Sequence, residues 1–148
     1  LFADCVPILL YDPIKRVVGV VHAGWKGTVL GVAAKTVYKM QLCYGSKPQN
    51  ILAAIGPSIG ADHYDVGSDV VSEVKLAFGL VANDFLYAIN GAVKFDLWKS
   101  NRWVLQESGV EKVESSEICT ACHTDDWFSH RAENGKTGRF GVMIGLRD

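Results

Sequence analysis

Two short runs of branched apolar residues, 3–11 and 16–22, flank the segment Asp12-Pro13-Ile14-Lys15. Strand-like runs joined by a proline-containing turn commit this stretch to an antiparallel hairpin, and so commit the fold to a sheet that is not purely parallel. If Asp12 and Lys15 flank the turn, Tyr11 faces Arg16, Leu9 faces Val18 and Cys5 faces His22. Direct cross-strand partners hold their Cβ atoms about 4.5–5.5 Å apart on one face of the sheet. The arithmetic therefore predicts a thiol in reach of an imidazole.

Beyond the hairpin, Val29, Val32, Ala33, Thr36, Val37 and Met40 recur at helical spacing and predict a helix over about 28–42. Its entry, Gly24-Trp25-Lys26-Gly27-Thr28, is a glycine loop opening on a helix N-terminus, where free N–H groups favour an anion; Lys26 is the cation there. "NILAAIG" reads as a strand at 50–56, followed by helices at about 68–78 and 96–108. Asp96 is the expected N-cap of the second of these, and Gly109 its stop. Strands around 113–119 and 139–146 finish the chain, with "AENGKTG" as a loop between Arg131 and Arg139. The elements alternate without the strict strand-helix-strand rhythm of a doubly wound sheet, so the expected class is α+β with mixed sheets.

The 148 residues are 49% hydrophobic, enough for one core and one domain. A net charge of −1 with scattered Lys and Arg offers no electrostatic footprint for nucleic acid. No apolar run approaches the roughly 18–20 residues of a membrane span. Four cysteines in a chain able to build a core predict reduced thiols and a cytoplasmic setting. "LFADC" at the start reads as the middle of a strand, and residues 1–148 are expected to be a single domain lacking its N-terminal segment.

Short motifs offer competing chemistry. "CTACH", Cys119 to His123, matches the haem-attachment pattern in only three fixed positions and lacks an export signal. A thioredoxin-type reading of the same cysteines wants them at a helix start, and a structural zinc site wants a second ligand pair at comparable spacing, which is not found. A zinc deaminase wants H-x-E with P-C-x-x-C, whereas His22 is followed by Ala23-Gly24. Four separated histidines, His22, His63, His123 and His130, do not make a cupredoxin-type copper cluster. Cys5 and His22 remain, either as a nucleophile with its base or as two ligands for zinc or copper.

The chain resembles the laccase-domain family, also called the YfiH or multicopper polyphenol oxidase family. The resemblance is carried, in order, by "ADCVPILLYD", "VVGVVHAGWKGT", "AAIGPSIGADHYDVG", "FDLWKSNRWVLQESGV", "ICT" and "FSHRAENGKTGRFGVMIGL". It implies a layered α/β/β/α sandwich of the α+β class, with a metal site of two histidines and one cysteine, usually described with zinc. The activities it implies are phosphorolysis of purine nucleosides (adenosine, inosine, methylthioadenosine) and adenosine deamination. Copper-dependent polyphenol oxidation and Cys–His hydrolysis are the alternatives, with an inactive binding domain as the non-enzymatic one. Carried onto this sequence, the ligands and catalytic residues are Cys5 of "ADC" and His22 of "HAGW", with the third ligand expected from before Leu1. Arg131 and Arg139 match the family's arginines, and a planar guanidinium suits phosphate or ribose; Lys26 is a secondary candidate. Ser58 stands where many relatives carry cysteine, keeping a hydroxyl for a ligand but no soft donor.

Overall fold

The computed structural model describes residues 1–147. The hairpin forms as strands β1 (Val6–Asp12) and β2 (Val17–Ala23). Its register differs from the expected one: Asp12 pairs with Val17, and Pro7, not Cys5, pairs with His22. The cause is the turn. Asp12 folds its carboxylate back onto the chain, with Oδ1 accepting from Ile14 N at 2.9 Å and Lys15 N at 3.0 Å. Arg16 then takes the left-handed conformation, φ +53°. Residues 13–16 thus all belong to the loop, and the cross-strand partner of His22 moves along by two. A shift of two preserves the side-chain alternation, so His22 shares a face with Pro7, Leu9 and Tyr11.

Asp12 is fully buried. Burial alone raises a carboxyl pKa, but the Lys15 N–H, the Ser46 hydroxyl, the Ile14 N–H and the Lys15 charge together outweigh it and hold this one below the ordinary carboxylate value. A depressed value means that its stabilisation is present above the unfolded-state pKa and is lost as pH falls through the folded one. Asp12→Ala is expected to cost about 1–3 kcal/mol by leaving two turn donors unpartnered. It should also remove part of the acid-side loss of stability. Denaturant midpoints measured between neutral pH and the acid limb check both, and wild-type midpoints throughout would refute the role.

The remaining elements are α1 (Trp25–Val29), α2 (Val32–Tyr44), β3 (Leu52–Ile55), β4 (Asp65–Val66), α3 (Ser68–Phe78), β5 (Leu86–Ile89), β6 (Ala92–Phe95), α4 (Leu97–Glu107) and β7 (Lys112–Ser115). The helix expected over 28–42 is broken in two because Gly31 is left-handed, φ +65°. α3 and α4 lie where the spacing puts them, and Asp96 caps α4 by accepting from Lys99 N at 2.8 Å. Four strands form a mixed sheet in the order β2-β1-β3-β7, antiparallel except for the β3/β7 pair. A second antiparallel sheet, β4-β6-β5, is new relative to the sequence reading. The strand expected at 139–146 is absent; a single bridge, Phe2 to Phe140, stands in its place.

The fold is α+β, the class the sequence reading expected, with two sheets and four helices among the described residues. α2 and α4 pack on one face of the first sheet, where Val6, Ile8, Leu10, Val21, Ala53 and Ile55 are buried. The opposite face is open: Val20 is 44% and Leu52 40% exposed. Leu9, Tyr11, Leu52 and Ala54 line a groove of about 510 Å³ on that side. α3 and the second sheet enclose Val74, Phe85 and Phe95. Among the described residues, no helix is long and apolar enough to cross a membrane.

Candidate metal and substrate site

Where β1 begins, Asp4 takes φ +76° and turns the chain so that Cys5 faces the end of β2. The thiol packs against Gly24, two residues beyond His22; a Cβ at Gly24 would stand 2.8 Å from Cys5 Sγ. Gly24 is held in place from behind. Its carbonyl accepts from Thr28 N at 2.8 Å and Thr28 Oγ1 at 3.0 Å, and buried Asn101 donates to Thr28 Oγ1 at 2.9 Å. The result is a cavity of about 240 Å³ lined by Asp4, Cys5, Trp25, Lys26, Ile59 and Tyr64, among others.

Burial raises the Cys5 thiol pKa, the Asp4 carboxylate adds to the effect, and the Arg139 charge opposes it. His22 is exposed on the sheet surface and stacks on Phe2, with ring centroids 4.6 Å apart. Partial burial lowers its pKa, which favours the neutral imidazole that a metal requires. The corrected register still leaves the two groups at the same end of the hairpin. A thiolate and an imidazole fit zinc or copper in donor type, and the bare Cα of Gly24 leaves space around the sulfur. Among the described residues they do not gather a third His, Cys, Asp or Glu donor.

Neither arginine lines this cavity, but each acts on a residue that does. Arg131 places its guanidinium 5.2 Å from the centroid of the Tyr64 ring, donates to Asp65 O at 2.9 Å, and anchors its backbone N–H on Asp4 Oδ2 at 2.6 Å. Burial, only partly offset by Arg131, pushes the Tyr64 phenol up to about 12, so it is a neutral hydroxyl at the rim. Arg139 lies near enough to Cys5 for its charge to act on the thiol, and its Nη1 donates to Thr137 O at 3.1 Å and Gly138 O at 2.6 Å. The loop carrying them is closed by Glu133, which accepts from Ser129 N at 2.9 Å and from the Thr137 hydroxyl. Exposed Lys26 sits with Nζ 5.4 Å from the Trp25 ring centroid. Ser58 is elsewhere engaged. Fully buried, its hydroxyl accepts from Trp98 Nε1 at 2.7 Å and donates to Gly56 O at 3.2 Å, which ties it to the interior.

Sequence reasoning missed Asp4 and Tyr64. Asp4 had a signal, since an aspartate beside the cysteine tolerates the left-handed turn that aims it; Tyr64 had none. It also missed a second donor group. Asp62, His63, Cys119 and Cys122 offer ligand atoms that all lie within 4.8 Å of one another. No second pair stands at comparable spacing along the chain, but the fold brings Asp62 and His63 to Cys119 and Cys122. The partners are distant in sequence and arrive through a parallel bridge between Ser58 and Cys119. Desolvation, then the neighbouring Cys119 thiol, pushes the Cys122 thiol up to about 11, the reverse of what a thioredoxin-type nucleophile needs.

The chain is similar to a purine nucleoside phosphorylase, YlmD, from Bacillus subtilis, with 40% identity over 99% of this chain and 54% of that protein. It is also 40% identical to the adenosine deaminase RL5 of an unknown prokaryotic organism, over 93% of this chain and 53% of that one. The solved structure of the hypothetical protein YfiH from Bacillus licheniformis superposes with a TM-score of 0.86 at 40% identity, covering 93% of this chain and 52% of that one. The chain thus spans about half the length of the curated relatives it matches. The family model described as multi-copper polyphenol oxidoreductase laccase matches residues 1–147, and the chain belongs to that family.

Proposed function

We propose that the protein containing this chain cleaves the N-glycosidic bond of purine nucleosides with inorganic phosphate. The observation that carries this reading is the convergence of Cys5, Lys26 and Tyr64 in one cavity with Arg131 stacked on its rim and the Arg139 charge acting on Cys5. Phosphorolysis needs an anion held beside the sugar. The bond from the ribose anomeric carbon to the purine nitrogen breaks, a phosphate oxygen bonds to that carbon, and the base leaves with a proton on nitrogen. In this reading Arg131 and Arg139 hold phosphate or ribose oxygens, since a guanidinium presents paired donors to them. Tyr64 donates from a neutral hydroxyl, and Lys26 adds positive charge at the mouth.

Cys5 and His22 are the two donors this chain gives to zinc, or alternatively copper; when bound, the ion polarises a substrate oxygen or activates water. In this reading a third donor comes from the remainder of the full-length protein, since the chain spans about half the length of the relatives it matches. We take these residues as one part of a single domain, in a cytoplasmic setting that suits four free cysteines. The similarity to a protein named adenosine deaminase supports a second activity at the same cavity, hydrolytic loss of the adenosine amino group.

Full-length protein incubated with inosine and phosphate is expected to yield hypoxanthine and ribose-1-phosphate. No product from zinc-loaded protein would sink the phosphorylase reading. Oxygen uptake on phenols by copper-loaded protein would put oxidation in its place.

A further inference from the structure

We propose that Asp62, His63, Cys119 and Cys122 form a second metal site, a closed structural zinc centre separate from Cys5 and His22. The distances match a tetrahedron. Zn–S bonds of about 2.3 Å and Zn–N or Zn–O bonds of about 2.0 Å at tetrahedral angles put sulfur about 3.5 Å from nitrogen or oxygen, and nitrogen about 3.3 Å from oxygen. His63 Nδ1 is 3.8 Å from Cys119 Sγ and 3.5 Å from Cys122 Sγ. Asp62 Oδ2 is 3.7 Å from Cys122 Sγ and 3.0 Å from His63 Nδ1.

The surroundings are built for a thiolate. Gly60 N donates to Cys119 Sγ at 3.2 Å, a bond that sulfur accepts more strongly as an anion, and Cys119 itself is buried. A side chain at Gly60 would stand 3.3 Å from Cys119 Cβ and 2.6 Å from Asp62 Oδ1, so this backbone approach needs glycine. The two ligand pairs sit on segments already stitched together, with Ser58 N donating to Ile118 O and Thr120 N to Ser58 O, both at 3.1 Å. Two thiolates, one imidazole and one carboxylate favour zinc over the hard cations, and four protein ligands leave no open position for substrate. The ion pins 60–63, which lead into Tyr64, to 119–122, where Thr120 bonds Asp4, and so braces two residues that line the cavity.

The test uses untagged full-length protein, purified reduced and supplied with zinc. Zinc per chain is measured for wild type, Cys122→Ser/His63→Ala and Cys5→Ala, choosing two exposed ligands so that folding is retained, as circular dichroism will verify. The Cys122→Ser/His63→Ala variant should lose one equivalent of zinc that Cys5→Ala keeps. After cobalt substitution, Cys5→Ala should retain the thiolate charge-transfer and tetrahedral d–d bands of this site, and Cys122→Ser should roughly halve the charge-transfer intensity. Unchanged zinc content in the Cys122→Ser/His63→Ala variant overturns the proposal. So does a Cys119–Cys122 disulfide, detected by mass spectrometry after thiol blocking, in the zinc-supplied reduced protein.

Discussion

Alanine at Cys5 is expected to lower both zinc retention at the proposed Cys5–His22 centre and the proposed phosphorolysis by at least about 100-fold, because even outer-shell changes around a metal cost about 10–100-fold. The fold should survive. Cys5 precedes β1, is only partly buried, and closes no hydrogen bond among the described residues. Metal-free variant and metal-free wild type should therefore unfold within about 1 kcal/mol of each other. Gly24→Ala separates position from chemistry. Its φ of −70° is open to alanine, yet the added methyl would lie 2.8 Å from Cys5 Sγ, so the thiol must swing away. An intermediate loss of zinc and turnover is expected, with every donor still present. Turnover and zinc content measured together on the three proteins decide the matter, and wild-type turnover in Cys5→Ala rejects its assigned role.

The sequence patterns that proved legible were those set by local chemistry. α3 and α4 follow from apolar spacing and, for α4, from the Asp96 cap. The first hairpin was legible as an element but not in register, because an aspartate that bonds its own loop makes a four-residue connection look like two. The second sheet carried a signal that went unread: Asn90-Gly91, both with positive φ, between the β5 and β6 runs is the strongest short-range hairpin pattern. At the site, Cys5, His22, Arg131 and Arg139 stood in recognisable motifs. The Asp62-His63 pair did not, since only the bridge from Ser58 to Cys119 brings it to the C-x-x-C loop. Spacing along the chain has no access to a long-range pairing of that kind.

Asp4 is where those separate segments meet, and its replacement should have the largest effect on stability. It is 8% exposed. Oδ1 accepts from Thr120 Oγ1 at 2.8 Å, Oδ2 from Arg131 N at 2.6 Å, and its carbonyl from Ile59 N at 3.0 Å. One residue thus joins the start of β1 to the 58–60 loop, the cysteine loop and the arginine loop. Hydrogen bonds to a charged group contribute about 1.5–3 kcal/mol each. The φ of +76° adds about 1–2 kcal/mol for a residue that lacks a short polar side chain. Asp4→Ala loses both side-chain bonds and meets the backbone penalty, so about 4–8 kcal/mol is expected, a large share of a typical domain's stability of about 5–15 kcal/mol. Asp4→Asn keeps the backbone conformation and a carbonyl oxygen for Thr120, but it turns an NH₂ toward Arg131 N. Its expected cost is about half as large. Chemical denaturation of the two variants reads the order, and hydrogen exchange at 118–122 and 129–133 reads the local release. A loss below about 1 kcal/mol in Asp4→Ala, or a larger loss in Asp4→Asn than in Asp4→Ala, rejects the carboxylate as the tie between these loops.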